Sequence, residues 1–180
     1  MKPQSSSNRP VPTLFLDFDD VIALNEEKGY GGYDILAPSP PADLWERLFS
    51  QEATAVLMQV VEEFKPRVVV TTSWLRFLDR EGFVQIFQRT GLSCIAQQLH
   101  PHWEAVQLRG QTRRQAIDIW MSKHHQGETY VILDDALSGT GLTNSAHQKQ
   151  GRVILCEVSV GLKFSHLPAI RNALSIPSSA

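Results

Sequence analysis

Leu14-Phe-Leu-Asp-Phe-Asp-Asp-Val-Ile22 is an apolar run broken by three carboxylates, and its reading decides the fold. Thr13 to Phe18 has the length and composition of a buried strand that ends in acids. Asp17 and Asp19 are two apart, so an extended backbone turns both to one side. Two later segments repeat the pattern. Arg67-Val-Val-Val-Thr-Thr-Ser73 is rich in β-branched residues and ends in hydroxyls. Tyr130-Val-Ile-Leu-Asp-Asp135 ends in an acidic pair, and Arg152-Val-Ile-Leu-Cys-Glu-Val158 reads as a fourth strand.

Helical patterns separate these strands. Leu57, Val60, Val61 and Phe64 predict a helix filling much of Ala42 to Phe64, stopped by Pro66. Phe83, Ile86 and Phe87 mark another, with Gly91 at its end. Thr112 and Gln115 have capping-box spacing and open a helix carrying Ala116, Ile117, Trp120 and Met121, ended by Gly127. Helical turns are expected near Thr143 to Lys149 and Leu167 to Leu174. Pro101 to Gly110 reads as irregular. Strands alternating with helices predict an α/β fold: a three-layer, Rossmann-like parallel sheet with helices on both faces. Parallel strands then bring Asp17 to Asp20, Thr71 to Ser73 and Asp134-Asp135 to one edge, where such sheets bind ligands.

At 180 residues the chain fits one domain, expected over residues 11–175, with a flexible leader at 1–10 and a flexible tail at 176–180. Residues 25–41 hold Gly29, Gly31, Gly32, Pro38, Pro40 and Pro41 and predict a short flap or insert. No apolar run approaches the roughly 20 residues that span a bilayer. The polar leader lacks the apolar core of a secretory signal, so no membrane partner and a cytoplasmic location are expected. Cys94 and Cys156 are expected reduced, because a core this size needs no staple. The net charge of −2 implies no global basic field for nucleic acid, although Arg109, Arg113 and Arg114 form a local basic group. His100-Pro-His102 and His124-His125 lack the partners of a zinc site and read as loop or surface residues. The four tryptophans read as core or rim, with Trp74 placed to border the site beside Ser73. The oligomeric state is not legible.

Crowded carboxylates either hold protons or surround a cation. An oxygen-only set suits Mg²⁺, which keeps several waters and takes phosphate as a further ligand. One carboxylate can attack a phosphoryl group while another handles a proton. Hydroxyls after the second strand and a guanidinium at a helix start can hold the transferring group.

The order of these segments resembles the haloacid dehalogenase (HAD) superfamily. Asp17-Phe-Asp-Asp20 resembles its first motif, Val68 to Ser73 its second, Arg113 with the helix to Trp120 its third, and Ile132 to Asp135 its fourth. The chain is also similar to a small HAD subgroup found in predicted RNA-repair proteins. That likeness lies in Tyr30 to Tyr33, Thr72 to Trp74, Arg113 to Trp120, and Gly141 to Thr143. The resemblance implies a Mg²⁺-dependent phosphatase with Asp17 as nucleophile and metal ligand. Asp19 would protonate the leaving oxygen, then activate water, and lend its backbone carbonyl to the metal. Thr72 would bond the phosphoryl oxygens, with Thr71 and Ser73 beside it. Arg113 would stabilise phosphoryl charge, with Arg109 and Arg114 as alternatives. Asp135 would ligate Mg²⁺ with Asp134 adjacent. Asp20 departs from the usual glycine, but Asp tolerates the left-handed turn better than most residues. Both insertion points are short, which implies a minimal cap and an open site. The phosphorylated substrate would then be bulky, such as a nucleic-acid end.

Three competing readings are weaker. A receiver-type phosphoacceptor would carry its Ser/Thr after the acidic pair and then a Lys-Pro, whereas here the Ser/Thr precedes the late acidic pair and Lys163 is followed by Phe164. Haloalkanoate hydrolysis has no use for Asp19. A catalytically silent HAD-like domain binding RNA or a protein would not need both Asp17 and Asp19.

Overall fold

A computed structural model describes residues 10–24 and 29–175. Residues 1–9 of the expected leader, the expected tail and residues 25–28 of the insert lie outside the described residues. In chain order the elements are β1 (Thr13–Leu16), α1 (Gly32–Ile35), α2 (Leu44–Arg47), α3 (Gln51–Phe64), β2 (Arg67–Val70), α4 (Arg80–Arg89), α5 (Ser93–Gln98), β3 (Leu99–Glu104), α6 (Arg113–His124), β4 (Tyr130–Asp135), α7 (Ala146–Lys149), β5 (Val153–Cys156) and α8 (Leu167–Ser175). Short 3₁₀ turns cover Ser73–Arg76 and Phe164–His166. The strands form one all-parallel sheet in the order β3-β2-β1-β4-β5. This is the doubly wound arrangement, with β1 at its centre.

Side chains alternate across the sheet, and the two faces bury different sets. Leu14, Leu16, Val68, Val70, Val131 and Leu133 share a core with residues of α3, α4, α5 and α8. Phe15, Val69 and Ile132 pack with Ile117 and Trp120 of α6. Helices therefore cover both faces. Phe18 lies at the centre of the larger core. Its ring meets Phe49, Trp74, Phe83 and Phe87 edge-on, at centroid distances of 5.4, 5.1, 5.5 and 5.6 Å.

Two expectations are corrected. The predicted irregular stretch from Pro101 begins inside a fifth strand, β3, preceded by the unforeseen α5. Pro101 has no N–H to donate, and proline is tolerated where a strand has a partner on one side only. β3 is such an edge strand, and its register against β2 shifts between Val68 and Val70. The helix predicted within Ala42 to Phe64 is split into α2 and α3. Ser50 Oγ accepts from Ala53 N at 3.4 Å and starts α3 afresh.

Register sets the heights of the site residues. Leu16 pairs with Val70 on one side and Leu133 on the other. Asp17, Thr71 and Asp134 are therefore level, one residue beyond the strand pairs. Asp17 N donates to Leu133 O at 3.0 Å, and Thr71 N donates to Leu16 O at 2.9 Å.

Truncating the ring at the centre of the aromatic cluster leaves a large cavity. Phe18→Ala is expected to cost about 3–5 kcal/mol in urea unfolding. Tyr33→Ala, at a residue 86% exposed, is expected to cost no more than about 0.5 kcal/mol. A loss below about 1 kcal/mol for Phe18→Ala would contradict this account of the core.

Candidate active site

At the carboxyl ends of β1 and β4, three carboxylates and one guanidinium meet. Asp17, Asp134 and Asp135 are all buried, and each offers an oxygen within 4.8 Å of the others. Arg113 enters from the first turn of α6. The predicted capping box fixes that turn: Thr112 Oγ1 accepts from Gln115 N at 3.2 Å, and Gln115 Oε1 accepts from Thr112 N at 2.8 Å. Arg113 N donates to Thr140 Oγ1 at 2.9 Å, tying the same turn to the loop after β4.

The Arg113 side chain is 3% exposed. Its Nη2 donates to Asp17 Oδ1 at 3.2 Å, and its Nε lies 3.0 Å from Asp134 Oδ2. The second contact is an ion pair without hydrogen-bond alignment, so both of its atoms are buried with no hydrogen bond. Arg114 instead pairs with Asp118 at 2.7 Å near the surface, and Arg109 is exposed. Of the three candidate arginines, Arg113 alone reaches the carboxylates.

Ser138 was not foreseen. Its Oγ lies 3.1 Å from Asp17 Oδ2 and 3.2 Å from Asp134 Oδ1, and also bonds Asp135 Oδ2. One hydroxyl has one proton, so it cannot satisfy three carboxylates at once. Asp135 Oδ1 also accepts from Leu137 N at 2.6 Å and Ser138 N at 2.9 Å. The loop can wrap this closely because of Gly139, where a Cβ would stand 2.5 Å from Asp135 O.

Burial dominates the electrostatics. It pushes the Asp17 carboxyl up to about 6, against the pull of Arg113 and with a further push from Asp19. It also raises Asp134 well above the usual carboxylate range, helped by Asp17 and opposed by Arg113. One guanidinium pairs with two of the three buried carboxylates, and Asp134 Oδ2 has an unused lone pair. An all-oxygen donor set with excess negative charge fits a small hard divalent cation such as Mg²⁺.

Asp19 stands apart from this triple. Its carboxylate receives the Trp74 indole N–H at 3.1 Å to each oxygen, and Ser73 Oγ donates to its Oδ2 at 3.2 Å. Burial raises its pKa, while the bonds from Trp74 and Ser73 lower it. Asp19, Ser73, Trp74, Asp135 and Ser138 line a pocket of about 430 Å³, with Tyr33 and Arg76 at its rim. Asp20 has φ +56°, the turn for which glycine is usual, and its Oδ1 accepts from Ser159 N at 2.8 Å.

The hydroxyls after β2 differ in their surroundings. Thr72 Oγ1 accepts from Trp74 N at 3.4 Å and starts the 3₁₀ turn. Thr71 Oγ1 is buried with no hydrogen-bond partner and stands level with Asp17. Strand alternation is the signal that points to it. Val69 and Phe15 face α6, and Thr71 and Asp17 are the next residues on that face. No comparable signal marks Ser138.

The raised Asp17 pKa has a consequence for stability. A carboxyl raised in the folded state contributes stability that is complete below its ordinary value of 3.8 and is lost as pH rises through about 6. In chelator, thermal melts are expected to favour Asp17→Asn over the wild type increasingly as pH rises from about 5 to about 7.5. A gap that is constant with pH, or widens toward acid, would contradict the burial argument.

No helix among the described residues is long and apolar enough to cross a membrane, and both Cys94 and Cys156 are free. The family model described as the HAD domain in Swiss Army Knife RNA repair proteins matches residues 13–167. No curated protein and no solved structure matches the chain. The match runs from β1 to the start of α8 and takes in every carboxylate of the site, so the chain belongs to the HAD superfamily, in the subgroup of HAD domains of Swiss Army Knife RNA repair proteins.

Proposed function

We propose that the chain is a Mg²⁺-dependent phosphomonoester hydrolase that works through an aspartyl-phosphate on Asp17, within a single domain over residues 11–175. The observation that carries this reading is the convergence of Asp17, Asp134 and Asp135, the first two on one buried arginine, with Asp19 in the adjoining pocket. Asp17, Asp134, Asp135 and the backbone carbonyl of Asp19 are the groups that would hold the ion. When bound, Mg²⁺ supplies neutralising charge to the carboxylates and to the phosphoryl oxygens.

The steps follow from the residues. An Asp17 carboxylate oxygen attacks phosphorus, forming an O–P bond as the bond to the leaving oxygen breaks. Protonated Asp19 gives its proton to that leaving oxygen. Asp19, now a carboxylate, takes a proton from water as the water oxygen attacks phosphorus, releasing inorganic phosphate and restoring Asp17. Arg113 offsets charge on the transferring group. Ser138 must release Asp17 Oδ2 as phosphate arrives, because it occupies that oxygen. Thr71, with its unpartnered hydroxyl level with Asp17, suits the phosphoryl oxygens better than Thr72, whose oxygen starts the 3₁₀ turn. Ser73 lies at the pocket wall.

For the substrate we favour a phosphate at a nucleic-acid end. The family description names RNA repair. The rim adds an exposed aromatic ring, Tyr33, and a guanidinium, Arg76, suited to a stacked base and a neighbouring phosphate.

A screen of phosphometabolites, nucleotides and end-phosphorylated oligonucleotides is the direct test. Turnover is expected with Mg²⁺ and to be lost in chelator. Asp17→Asn is expected to lower kcat roughly 10⁴-fold or more. Asp19→Asn is expected to lower it about 10²- to 10⁴-fold. Turnover that survives Asp17→Asn would overturn Asp17 as the nucleophile, and none on any phosphate ester would favour a catalytically silent binding domain. Activity on sugar phosphates alone would overturn the nucleic-acid assignment.

A further inference from the structure

Two side chains from the turn after β2 hold the Asp19 carboxylate, and the larger of them has no freedom to move. Trp74 is 2% exposed. Its ring stands edge-on to Phe18 at 5.1 Å and lies over Phe49 at 6.4 Å. The backbone at the start of α1 closes the remaining side. A Cβ added to Gly32 would stand 3.1 Å from the indole Nε1 and 2.5 Å from Phe77 Cζ. Only a residue without a side chain fits there, so the insert rests directly on the indole that contacts Asp19.

We propose that Trp74 is a positioning residue whose indole N–H turns Asp19 so that the acid's own proton faces the leaving oxygen. The inference rests on the phosphohydrolase reading above. An indole N–H donates and cannot accept. When Asp19 is protonated, the indole must meet a bare carboxyl oxygen, and the acidic O–H cannot be spent on it. Asp19 Oδ2 takes the Ser73 hydroxyl as well as the indole N–H, so the acid's O–H is left on Oδ1, and Asp19 lines the pocket. During the reaction this proton passes to the leaving oxygen as the Asp17 O–P bond forms and the old P–O bond breaks. Water returns a proton to Asp19 in the second step. The indole proton stays on nitrogen throughout. With phenylalanine at position 74 the carboxyl keeps only the Ser73 bond, and its proton is no longer aimed.

The effect should depend on how much the leaving group needs that proton. A nitrophenolate leaves readily without one, whereas an alkoxide does not. Trp74→Phe and Gly32→Ala are tested with Mg²⁺ on a series of phosphate esters from nitrophenyl to simple alkyl. For both variants, kcat/KM, which reports only the steps up to the aspartyl-phosphate, is expected to fall about 10- to 100-fold on alkyl esters and to change by less than about threefold on the nitrophenyl ester. A second reading needs neither metal nor turnover. In chelator, the Trp74 indole N–H resonance, assigned by its loss in Trp74→Phe, is expected to move in Asp19→Ala more than those of Trp45, Trp103 and Trp120. Thermal melts show whether Trp74→Phe folds, and Gly32→Ala keeps the indole if it does not. An equal loss across all leaving groups, or an indole resonance indifferent to Asp19→Ala, would overturn the proposal. Absence of turnover in the wild type would overturn the phosphohydrolase reading and this role with it, while the resonance experiment still decides whether the contact exists.

Discussion

Everything at this edge of the sheet depends on one electrostatic constraint: a single buried guanidinium, Arg113, set among three buried carboxylates. Removing such charges from water costs several kcal/mol per ion unless partners compensate. Arg113 compensates two of them in part, at 3.2 Å to Asp17 and 3.0 Å to Asp134. The rest of the excess charge appears as raised carboxyl pKa values and as one hydroxyl, Ser138, shared among three acceptors. Buried carboxyls perturbed in this way are the feature on which the proposed chemistry rests.

The fold supplies the positions at which this charge can be held. Parallel pairing of β1 with β2 and β4 puts Asp17, Thr71 and Asp134 at one height without further adjustment. The capping box of α6 then delivers Arg113 to the same height from the layer above the sheet. On the opposite face the aromatic cluster around Phe18 fixes the two turns that carry Asp19 and Trp74. Asp17 and Asp19 share one short segment but face different neighbours: Asp17 meets Arg113 and Ser138, and Asp19 meets Trp74 and Ser73. Two adjacent carboxyls can thus take different tasks because different layers of the fold hold them.

Much of this was legible in the chain. Strands ending in Asp17 and in Asp134-Asp135 are local signals, and so is the Thr112–Gln115 cap that places Arg113. Those features need only residue type and spacing. β3 was not legible, because Pro101 within Leu99–Glu104 contradicts the composition of a paired strand, and only its edge position permits it. The convergence of Ser138 on three carboxylates was hidden for a different reason. It depends on how the loop after β4 folds back, and Gly139 permits that return only in combination with the Asp135 backbone. The choice among Arg109, Arg113 and Arg114 likewise needed the direction in which α6 presents its first residue. The preference for Thr71 over Thr72 needed the register of β2 against β1.

The central claim is that Asp17 carries the phosphoryl group during turnover. The most direct measurement is to quench the enzyme in acid during steady-state hydrolysis, reduce the acyl phosphate with borohydride, and locate the modified residue by peptide mass spectrometry. The account predicts reduction at Asp17 alone, dependent on substrate and Mg²⁺. Turnover with no modified aspartate, or with the modification at Asp19, Asp134 or Asp135, would contradict it.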